Sequence, residues 1–406
     1  MHFSTIKYIV MKASIKLLFL LSLLSFLQTS SFATIRRVGF VSSVSPVNGL
    51  DYATFQLAHD AAANGDTIQL YPSTLGSGNA FSGTVIKRLV ILGPGYYYNT
   101  YFLPGSGIIN AGLQILPGGV QYGSFTIGLG SAGTKFTGIN ALSLTTSNIL
   151  DSLNDITISR CRGAGVSFNN SGVCNSWIIS QCTGVSVDQG GYTGSFSGNR
   201  TITNLRIENC LGVSVSYSAG GSQSPVGINS GQILNCIIGY GLGATGTDTY
   251  YNTLTLNNSV FVIQNCIDLG SVLPGTRISN TIYINNLTVG AALNNPVSTN
   301  PGSAGNVFGI TTAGNAIFVG FPTNTSGSTT LYSPDAAWQL SPTSIAKNAG
   351  IIPGTASITD CGIYGGTNPY KTSGLPPVPS FYKLNSPSST ATASPYIMTF
   401  SVKSNN

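Results

Sequence analysis

The sequence predicts an all-β protein, a right-handed parallel β-helix in which short strands stack coil upon coil into a solenoid. Three observations lead to this prediction: a strand-and-corner unit that recurs, apolar residues that alternate with polar ones around it, and few charges. Charged residues make up 7% of the chain and glycine contributes 50 residues, whereas globular proteins usually contain about 25% charged residues. With 42% apolar residues and a low net charge, the chain is not expected to be disordered.

The recurring unit is a short β-branched strand followed by a polar corner that ends in cysteine, as in residues 156–161. Successive copies lie 20 to 30 residues apart, which fits one β-helix coil with loops of variable size. Neighbouring coils lie about 4.8 Å apart, and the span from Ile68 to Asn286 has room for about nine of them. The copies end at Cys161, Cys182, Cys210, Cys236, Cys266 and Asn286.

Residues 1–33 have the features of a secretory signal peptide. Lys12 and Lys16 precede an apolar run over residues 17–27, and an A-x-A-like site ends at Ala33; the run is too short to span a bilayer. The segment holds three of the 17 basic residues and none of the 11 acidic ones, so the remainder has a net charge of +3. We therefore expect a secreted or cell-surface protein with no transmembrane segment in the mature chain and no affinity for nucleic acid.

Four segments are expected: the signal peptide (1–33), an N-terminal strand with a capping helix (34–66), a parallel β-helix with irregular later coils (67–372), and a Pro-rich linker with a C-terminal hairpin (373–406). The helix is predicted for residues 51–64, with Asp51 as its N-cap and Gly65 at its end. Its apolar face should cover the open end of the stack. Residues 380–384 and 396–402 should pair as the hairpin, which caps the other end or serves for attachment.

Residues 61–68 and the later Ile-x-Asn-Cys corners resemble the pectin-lyase-like superfamily of right-handed parallel β-helices. Residues 87–96, 338–350 and 361–366 are similar to segments of secreted bacterial β-helix proteins of the Bacteroidetes type, whose function is unassigned. The resemblance extends over most of residues 50–385. It implies the fold, and it suggests a polysaccharide or cell-surface glycan as partner, because polysaccharide cleavage is the activity most associated with this fold.

The enzymes that this resemblance suggests need charged side chains that the chain mostly lacks. A glycoside hydrolase uses two carboxyl groups; a polysaccharide lyase uses an Arg or Lys base, often beside a Ca²⁺ site of several carboxylates. Glu208 is the sole glutamate, and neither an Asp-Asp pair nor a Gly-His-Gly motif occurs. Of the two histidines, His2 lies in the signal region and His59 on the predicted capping helix.

A cluster of charges supplies the catalytic candidates Arg160, Asp188, Arg206 and Glu208. Arg206 and Glu208 are two apart on one predicted strand and share a face, which points outward if their apolar neighbours point inward. One interpretation is a substrate groove with an arginine base. The other, which we favour, is a solvated face whose ion pairs each contribute under about 1 kcal/mol. The wider cluster adds Asp151, Asp155, Arg162 and Arg200.

The corners should form two stacked columns, one of inward residues and one of the residues just before them. The inward column is the Cys/Asn ladder of the repeat, and the preceding column consists of Arg160, Gln181, Asn209, Asn235 and Asn265. Stacked cysteines with parallel Cβ vectors about 4.8 Å apart do not suit disulfides, which need converging Cβ atoms near 3.8 Å. We therefore favour a ladder of free thiols over bridges. Cys174 and Cys361 lie off the ladder, and no Cys-x-x-Cys pair occurs, so neither a metal nor another cofactor is expected.

Tyr96, Tyr97, Tyr98 and Tyr101 concentrate aromatic rings that could stack on sugars. The same rings could simply cover the first coils while their hydroxyls stay hydrated, and we favour packing. The sequence as a whole favours a secreted or cell-surface β-helix that binds carbohydrate or serves as an adhesion scaffold without catalysis. The alternative is a polysaccharide lyase or glycoside hydrolase of the pectin-lyase-like class.

Overall fold

The structure is a computed structural model. It describes residues 33–39, 49–70, 81–95, 123–147, 152–168, 173–188, 201–216, 230–242, 248–251, 260–269, 282–289, 304–310, 317–319, 335, 338–372, 377, 380–385 and 399–403. The chain divides into two compact units, Met1–Thr34 and Ile35–Asn406, and every element below belongs to the second. The predicted signal peptide lies outside the described residues apart from Ala33.

Within these ranges the fold consists of short strands and a single helix, α1 (Phe55–Ala61). The strands of the N-terminal half are β1 (Ile35–Val38), β2 (Asp51–Tyr52), β3 (Thr67–Leu70), β4 (Phe81–Val85), β5 (Val90–Leu92), β6 (Gly123–Ile127), β7 (Lys135–Thr137), β8 (Leu142–Thr146), β9 (Ser152–Asn154), β10 (Thr157–Ser159), β11 (Gly165–Ser167), β12 (Val173–Asn175), β13 (Ile178–Ser180) and β14 (Thr183–Asp188). Those of the C-terminal half are β15 (Thr201–Thr203), β16 (Leu205–Glu208), β17 (Leu211–Ser216), β18 (Ser230–Leu234), β19 (Ile237–Leu242), β20 (Asp248–Tyr251), β21 (Val260–Gln264), β22 (Ile267–Asp268), β23 (Ile282–Ile284), β24 (Leu287–Val289), β25 (Val307–Ile310), β26 (Gly350–Ile351), β27 (Ile358–Thr359), β28 (Ser380–Asn385) and β29 (Thr399–Lys403).

Most strands belong to two long sheets, in which hydrogen-bonded neighbours come from successive coils of the chain. The first sheet has the order β2-β1-β3-β5-β7-β10-β13-β16-β18-β21-β23. The second has the order β4-β6-β8-β11-β14-β17-β19-β22-β24-β25, and a third, shorter sheet has the order β9-β12-β15. Coil-to-coil pairing is parallel throughout, which confirms the predicted parallel β-helix. From β3 to β23 the first sheet has one strand per coil, nine strands in all, in agreement with the repeat length.

The core is built from inward columns with one apolar side chain per coil. The middle residues of the first-sheet strands stack in register, and their side chains are at most 1% exposed. Burial of each such side chain stabilises the fold by about 1.5–3 kcal/mol, so the period-2 alternation of the sequence accounts for the core. The column consists of Ile68, Ile91, Phe136, Ile158, Ile179, Ile207, Ile233 and Ile263.

Helix α1 is shorter than predicted, and the predicted N-cap is wrong. Thr54 caps it, because its hydroxyl accepts a hydrogen bond from the backbone N–H of Leu57 at 3.3 Å. Asp51 lies instead in β2, where its carboxylate accepts a hydrogen bond from the Arg37 guanidinium at 2.8 Å. Residues 51 and 52 are extended and pair with β1, so the helix cannot begin at residue 51.

The helix covers the edge strand β4 at the N-terminal end of the second sheet. The side chains of Gln56 and His59 accept hydrogen bonds from the backbone N–H groups of Thr84 (2.9 Å) and Ile86 (3.2 Å). A bare strand edge is a template for pairing with another chain, and these side chains occupy its donors. Since Nε2 of His59 accepts from Ile86, it carries no proton in this arrangement.

Phe55 anchors the helix in the core where β4 has a glycine. A Cβ atom added to Gly83 would lie 2.7 Å from the Phe55 ring, and that ring packs edge-on against Phe125 at 4.6 Å between centroids. At the other end of the helix, the Lys87 ammonium donates to the carbonyl oxygens of His59, Asp60 and Ala62 at 2.8–2.9 Å. Lys87 therefore satisfies carbonyl groups that the helix end leaves unpaired.

Each described corner from Arg160 to Asn286 contains one residue with a left-handed backbone, directly before the ladder residue. The φ angles of these residues lie between 50° and 57°. Asparagine adopts this conformation more readily than other non-glycine residues, which explains its prevalence in the column. The residues are Arg160, Gln181, Asn209, Asn235, Asn265 and Asn285.

Residues 338–372, which we name the strap, do not add further coils. They run back along the corners of earlier coils, from Asn265 to Gln181, and contain the short antiparallel pair β26–β27. The prediction of irregular later coils is therefore wrong for this segment. Strands β28 and β29 pair antiparallel, as predicted for the C-terminal hairpin. In the described part of the chain, no helix has the length and hydropathy needed to cross a bilayer.

Candidate functional site

The column before the ladder faces the strap, and its amide side chains bind strap backbone. Asn209 Nδ2 donates to the carbonyl oxygens of Ile363 (2.8 Å) and Gly365 (2.7 Å). One coil later, Asn235 Nδ2 donates to Asp360 O at 3.3 Å. Two coils later, Asn265 Nδ2 donates to Ile351 O at 2.9 Å. The three asparagines are at most 3% exposed. The column predicted from the repeat is thus real, but it is an internal binding surface for the strap and not an open groove.

Glycines let the strap approach this column closely. A Cβ atom on Gly365 would lie 2.7 Å from Nδ2 of Asn235, and one on Gly350 would lie 2.9 Å from Cγ of Asn265. The strap therefore needs residues without a side chain where it crosses the amides.

From Cys210 onward, the residue after each ladder position also faces the strap and is apolar. Leu211, Ile237, Ile267 and Leu287 form a second buried cluster with Ile317, Phe318, Trp338, Ala346, Cys361, Ile363 and Tyr370. Each of the corners 209–211, 235–237 and 265–267 thus presents an outward amide, an inward ladder residue and an outward apolar residue in sequence. Hydrogen bonds and apolar contacts together fasten the strap.

Arg206 and Glu208 form an ion pair on the outward face of β16, as predicted. Nε and Nη2 of Arg206 both lie 2.6 Å from Oε2 of Glu208. The Arg206 side chain is 45% exposed and that of Glu208 is 13% exposed. The other carboxylate oxygen, Oε1, accepts a hydrogen bond from Asn368 of the strap at 3.4 Å. Glu208 is therefore engaged on both oxygens.

Arg160 is connected to this pair through the strap. Its Nε donates to Oε1 of Gln181 at 2.8 Å, and Nε2 of Gln181 donates to Oδ1 of Asn368 at 2.7 Å and to Pro369 O at 2.7 Å. Arg160 is 7% exposed. The chain of hydrogen bonds runs from Arg160 through Gln181 and Asn368 to Glu208. Its geometry is that of a structural network which joins three coils to the strap.

The remaining charged candidates lie at other places in the fold. Asp188 ends β14 of the second sheet, whereas Ser180, which pairs with Glu208, ends β13 of the first sheet; a corner of the coil lies between them. Asp155 lies at a different corner with φ of 60°, and Arg162 is buried in an isolated bridge between Asn140 and Thr183. Asp151 and Arg200 lie outside the described residues. Among the candidates, Arg206 and Glu208 face each other directly as an ion pair.

The ladder cysteines are buried thiols that hydrogen-bond from coil to coil. The backbone N–H of each ladder residue donates to Sγ of the next coil at 3.3–3.5 Å, for Cys161, Cys182, Cys210 and Cys236 in turn. Each of these thiols donates to the carbonyl oxygen two residues before it at 3.2 Å. Burial raises the pKa of all four thiols well above the usual value. The thiols therefore keep the protons that they donate. The backbone N–H of Cys266 donates to Oδ1 of Asn286 at 2.8 Å, so asparagine replaces the thiol acceptor there.

The two cysteines off the ladder have separate positions. Cys174 points inward from β12 of the third sheet. Cys361 lies in the strap, where its thiol donates to Asn285 O at 3.2 Å. Burial, together with the charge of Asp360, raises the pKa of Cys361 to about 12. No group of three or more His, Cys, Asp or Glu side chains that could hold a metal ion occurs within the described ranges.

The outward face of the second sheet carries a regular feature that we did not predict. Two columns of outward residues follow successive coils in register, and they carry small hydroxyl side chains except at Gly165 and Asp188. We name this grid the hydroxyl face; its members are Ser82, Thr84, Ser124, Thr126, Ser143, Thr145, Ser167 and Ser186. The signal in the sequence is a Ser-x-Thr triplet at the second strand of a coil, as in residues 124–126 and 143–145.

Tyr96, Tyr97, Tyr98 and Tyr101 lie outside the described residues, so their suggested stacking on sugars stays a prediction.

Comparison with known proteins adds one similar structure. No family model matches the chain, and no curated protein matches it. The crystal structure of pectate lyase Pel9A is similar over 83% of this chain and 98% of that chain, with 14% sequence identity and a TM-score of 0.33. At this level of similarity, the assignment of the parallel β-helix rests on the sheets of the present chain.

Proposed function

We propose that this protein is an exported β-helix scaffold that binds carbohydrate at the cell surface or outside the cell and does not cleave it. The observation that carries the proposal is the engagement of Glu208. This sole glutamate is held by Arg206 at 2.6 Å and by Asn368 of the strap at 3.4 Å. A general acid or nucleophile needs a carboxyl group that can reach the substrate, and this one is committed to a contact within the chain.

The sequence of residues 1–33 supports export, since a charged start, a short apolar run and an A-x-A-like end occur in that order. The surface chemistry supports carbohydrate as the partner. Serine, threonine and asparagine dominate where other proteins have charges, and hydroxyl and amide groups match the donor and acceptor groups of sugars.

The test is a screen of the purified full chain against immobilised neutral and uronate-containing glycans, with product release measured in parallel. We expect retention on at least one glycan and no new chain ends. Cleavage that disappears in both Arg206→Ala and Glu208→Ala would overturn the proposal in favour of a lyase or hydrolase. Absence of retention on every glycan would also overturn it.

A further inference from the structure

The hydroxyl face is a flat grid with two spacings. Successive coils place equivalent residues about 4.8 Å apart, and the two columns lie about 6.7 Å apart because they are two residues apart on each strand. Ser82, Thr84, Ser124 and Ser143 are exposed, and Thr126 and Thr145 are half-buried. The residues between the columns point inward, as Phe125 and Leu144 do at 1% exposure. The face is therefore held rigidly by the core.

Four hydroxyls at the centre of this face are available to a ligand. Ser124, Thr126, Ser143 and Thr145 take part in no side-chain hydrogen bond among the described residues. Hydroxyls on the first sheet differ, since Thr137 and Ser159 bond to each other at 2.8 Å across two coils. The grid is also uncharged from β4 to β11; Asp188 is the first ionisable side chain in either column. A charged ligand would find no opposite charge there, whereas a neutral ligand that carries many hydroxyls would find donors and acceptors at every coil.

Because each hydrogen bond to a ligand is weak, the hydroxyl face should favour an extended ligand over a short one. One hydrogen bond that replaces bonds to water contributes about 0.5–1.5 kcal/mol, and none of the residues in the two columns is aromatic. A short sugar that contacts two or three hydroxyls would bind weakly. A long, ordered array of hydroxyls that contacts the whole grid gains from simultaneous engagement.

We propose that the hydroxyl face binds the ordered surface of an insoluble neutral polysaccharide. This inference rests on the proposed function and names its binding surface and the class of its ligand.

The test compares sedimentation of the full chain with microcrystalline cellulose and with α-chitin, and uses soluble hexamers of the same sugars as competitors. Thr126→Val with Thr145→Val removes two central hydroxyls without changing side-chain shape. The control is Thr157→Val on the outward face of the first sheet, where Thr157 is half-buried. Thermal unfolding of each variant shows whether its fold is kept.

We expect the wild type and Thr157→Val to sediment with at least one of the two solids, and the double variant to bind about tenfold more weakly. The hexamers should compete poorly even in excess. Wild-type binding that the double variant retains in full, with Ser143→Lys also without effect, would overturn the inference and leave the proposed function standing. Failure of the wild type to bind any glycan would overturn the proposed function itself. Slowed ice-crystal growth that is lost in the double variant, without binding to either solid, would overturn the inference and assign the grid to ordered water.

Discussion

Gln181 and Asn368 are 187 positions apart in the chain, yet Nε2 of Gln181 donates a hydrogen bond to Oδ1 of Asn368 at 2.7 Å. The contact places the strap on the corners of the β-helix. It also explains why the charged residues nearby are not free, because Asn368 bridges Gln181 and Glu208.

Loss of one amide from the column should weaken the strap measurably. Asn209→Ala removes two hydrogen bonds to buried strap carbonyls, and we expect it to lower the free energy of unfolding by about 2–4 kcal/mol. Asn204→Ala is the matched control: Asn204 has φ of 55° but is exposed and bonds to Asn175, away from the strap. Urea unfolding at equilibrium measures both. Equal losses in the two variants would show that backbone conformation, rather than strap binding, sets the effect.

Alkaline pH should destabilise the protein through its ladder thiols. Burial raises the pKa of Cys161, Cys182, Cys210 and Cys236, whereas unfolded cysteine ionises near about 8.5. When the pKa of a thiol is higher in the folded state, the thiol contributes fully to the free energy of unfolding at any pH below the pKa of the unfolded state. That contribution is lost as the pH rises above the unfolded pKa. Each thiol should lower the free energy of unfolding by up to about 1.4 kcal/mol for every pH unit above about 8.5. Urea unfolding at pH 7.5 and pH 10 checks this, and equal stability at both values would contradict it.

At a ladder position, a substitution that keeps a hydrogen-bond acceptor should destabilise the protein less than one that leaves a cavity. Cys210→Ala leaves the backbone N–H of Cys182 without its acceptor and removes a packed atom, which should cost about 2–4 kcal/mol. Cys210→Ser keeps an acceptor at the same position and should cost less than half of that. Thermal unfolding compares the two. A serine variant as unstable as the alanine variant would mean that the thiol acts only by filling space.

The cap should depend on the missing side chain of Gly83. Gly83→Val places atoms where the Phe55 ring lies, so we expect a loss of about 1–3 kcal/mol and association through the uncovered edge of β4. In Gly165→Ala, by contrast, the added Cβ meets only Leu142 O at 3.7 Å, and that variant should behave like the wild type. Size-exclusion chromatography and thermal unfolding distinguish them. A monomeric, fully stable Gly83→Val would contradict this role of the glycine.

The sequence was sufficient for features that repeat and insufficient for those that do not. The ladder cysteines and the column before them followed from spacing alone, because a fixed period places equivalent residues one above the other. The same reasoning placed Arg206 and Glu208 on one outward face. It did not reveal that Asn368 would reach Glu208, because the strap has no period and its contacts link residues far apart in sequence. The sequence predicts Asp51 as the N-cap because nothing in its local sequence shows that residues 51 and 52 pair with β1 or that Arg37 binds the carboxylate.

The direction of the strap has a consequence for the order in which the molecule folds. A solenoid coil contacts only its neighbours, so coils can form one after another as the chain emerges. The strap can dock only when the corners from Gln181 to Asn265 already exist, and its residues are synthesised after all of them. Until it docks, each coil can open separately. Afterwards the strap joins those coils, and they must open together. The segment that is synthesised after these coils is therefore the one that makes their unfolding cooperative.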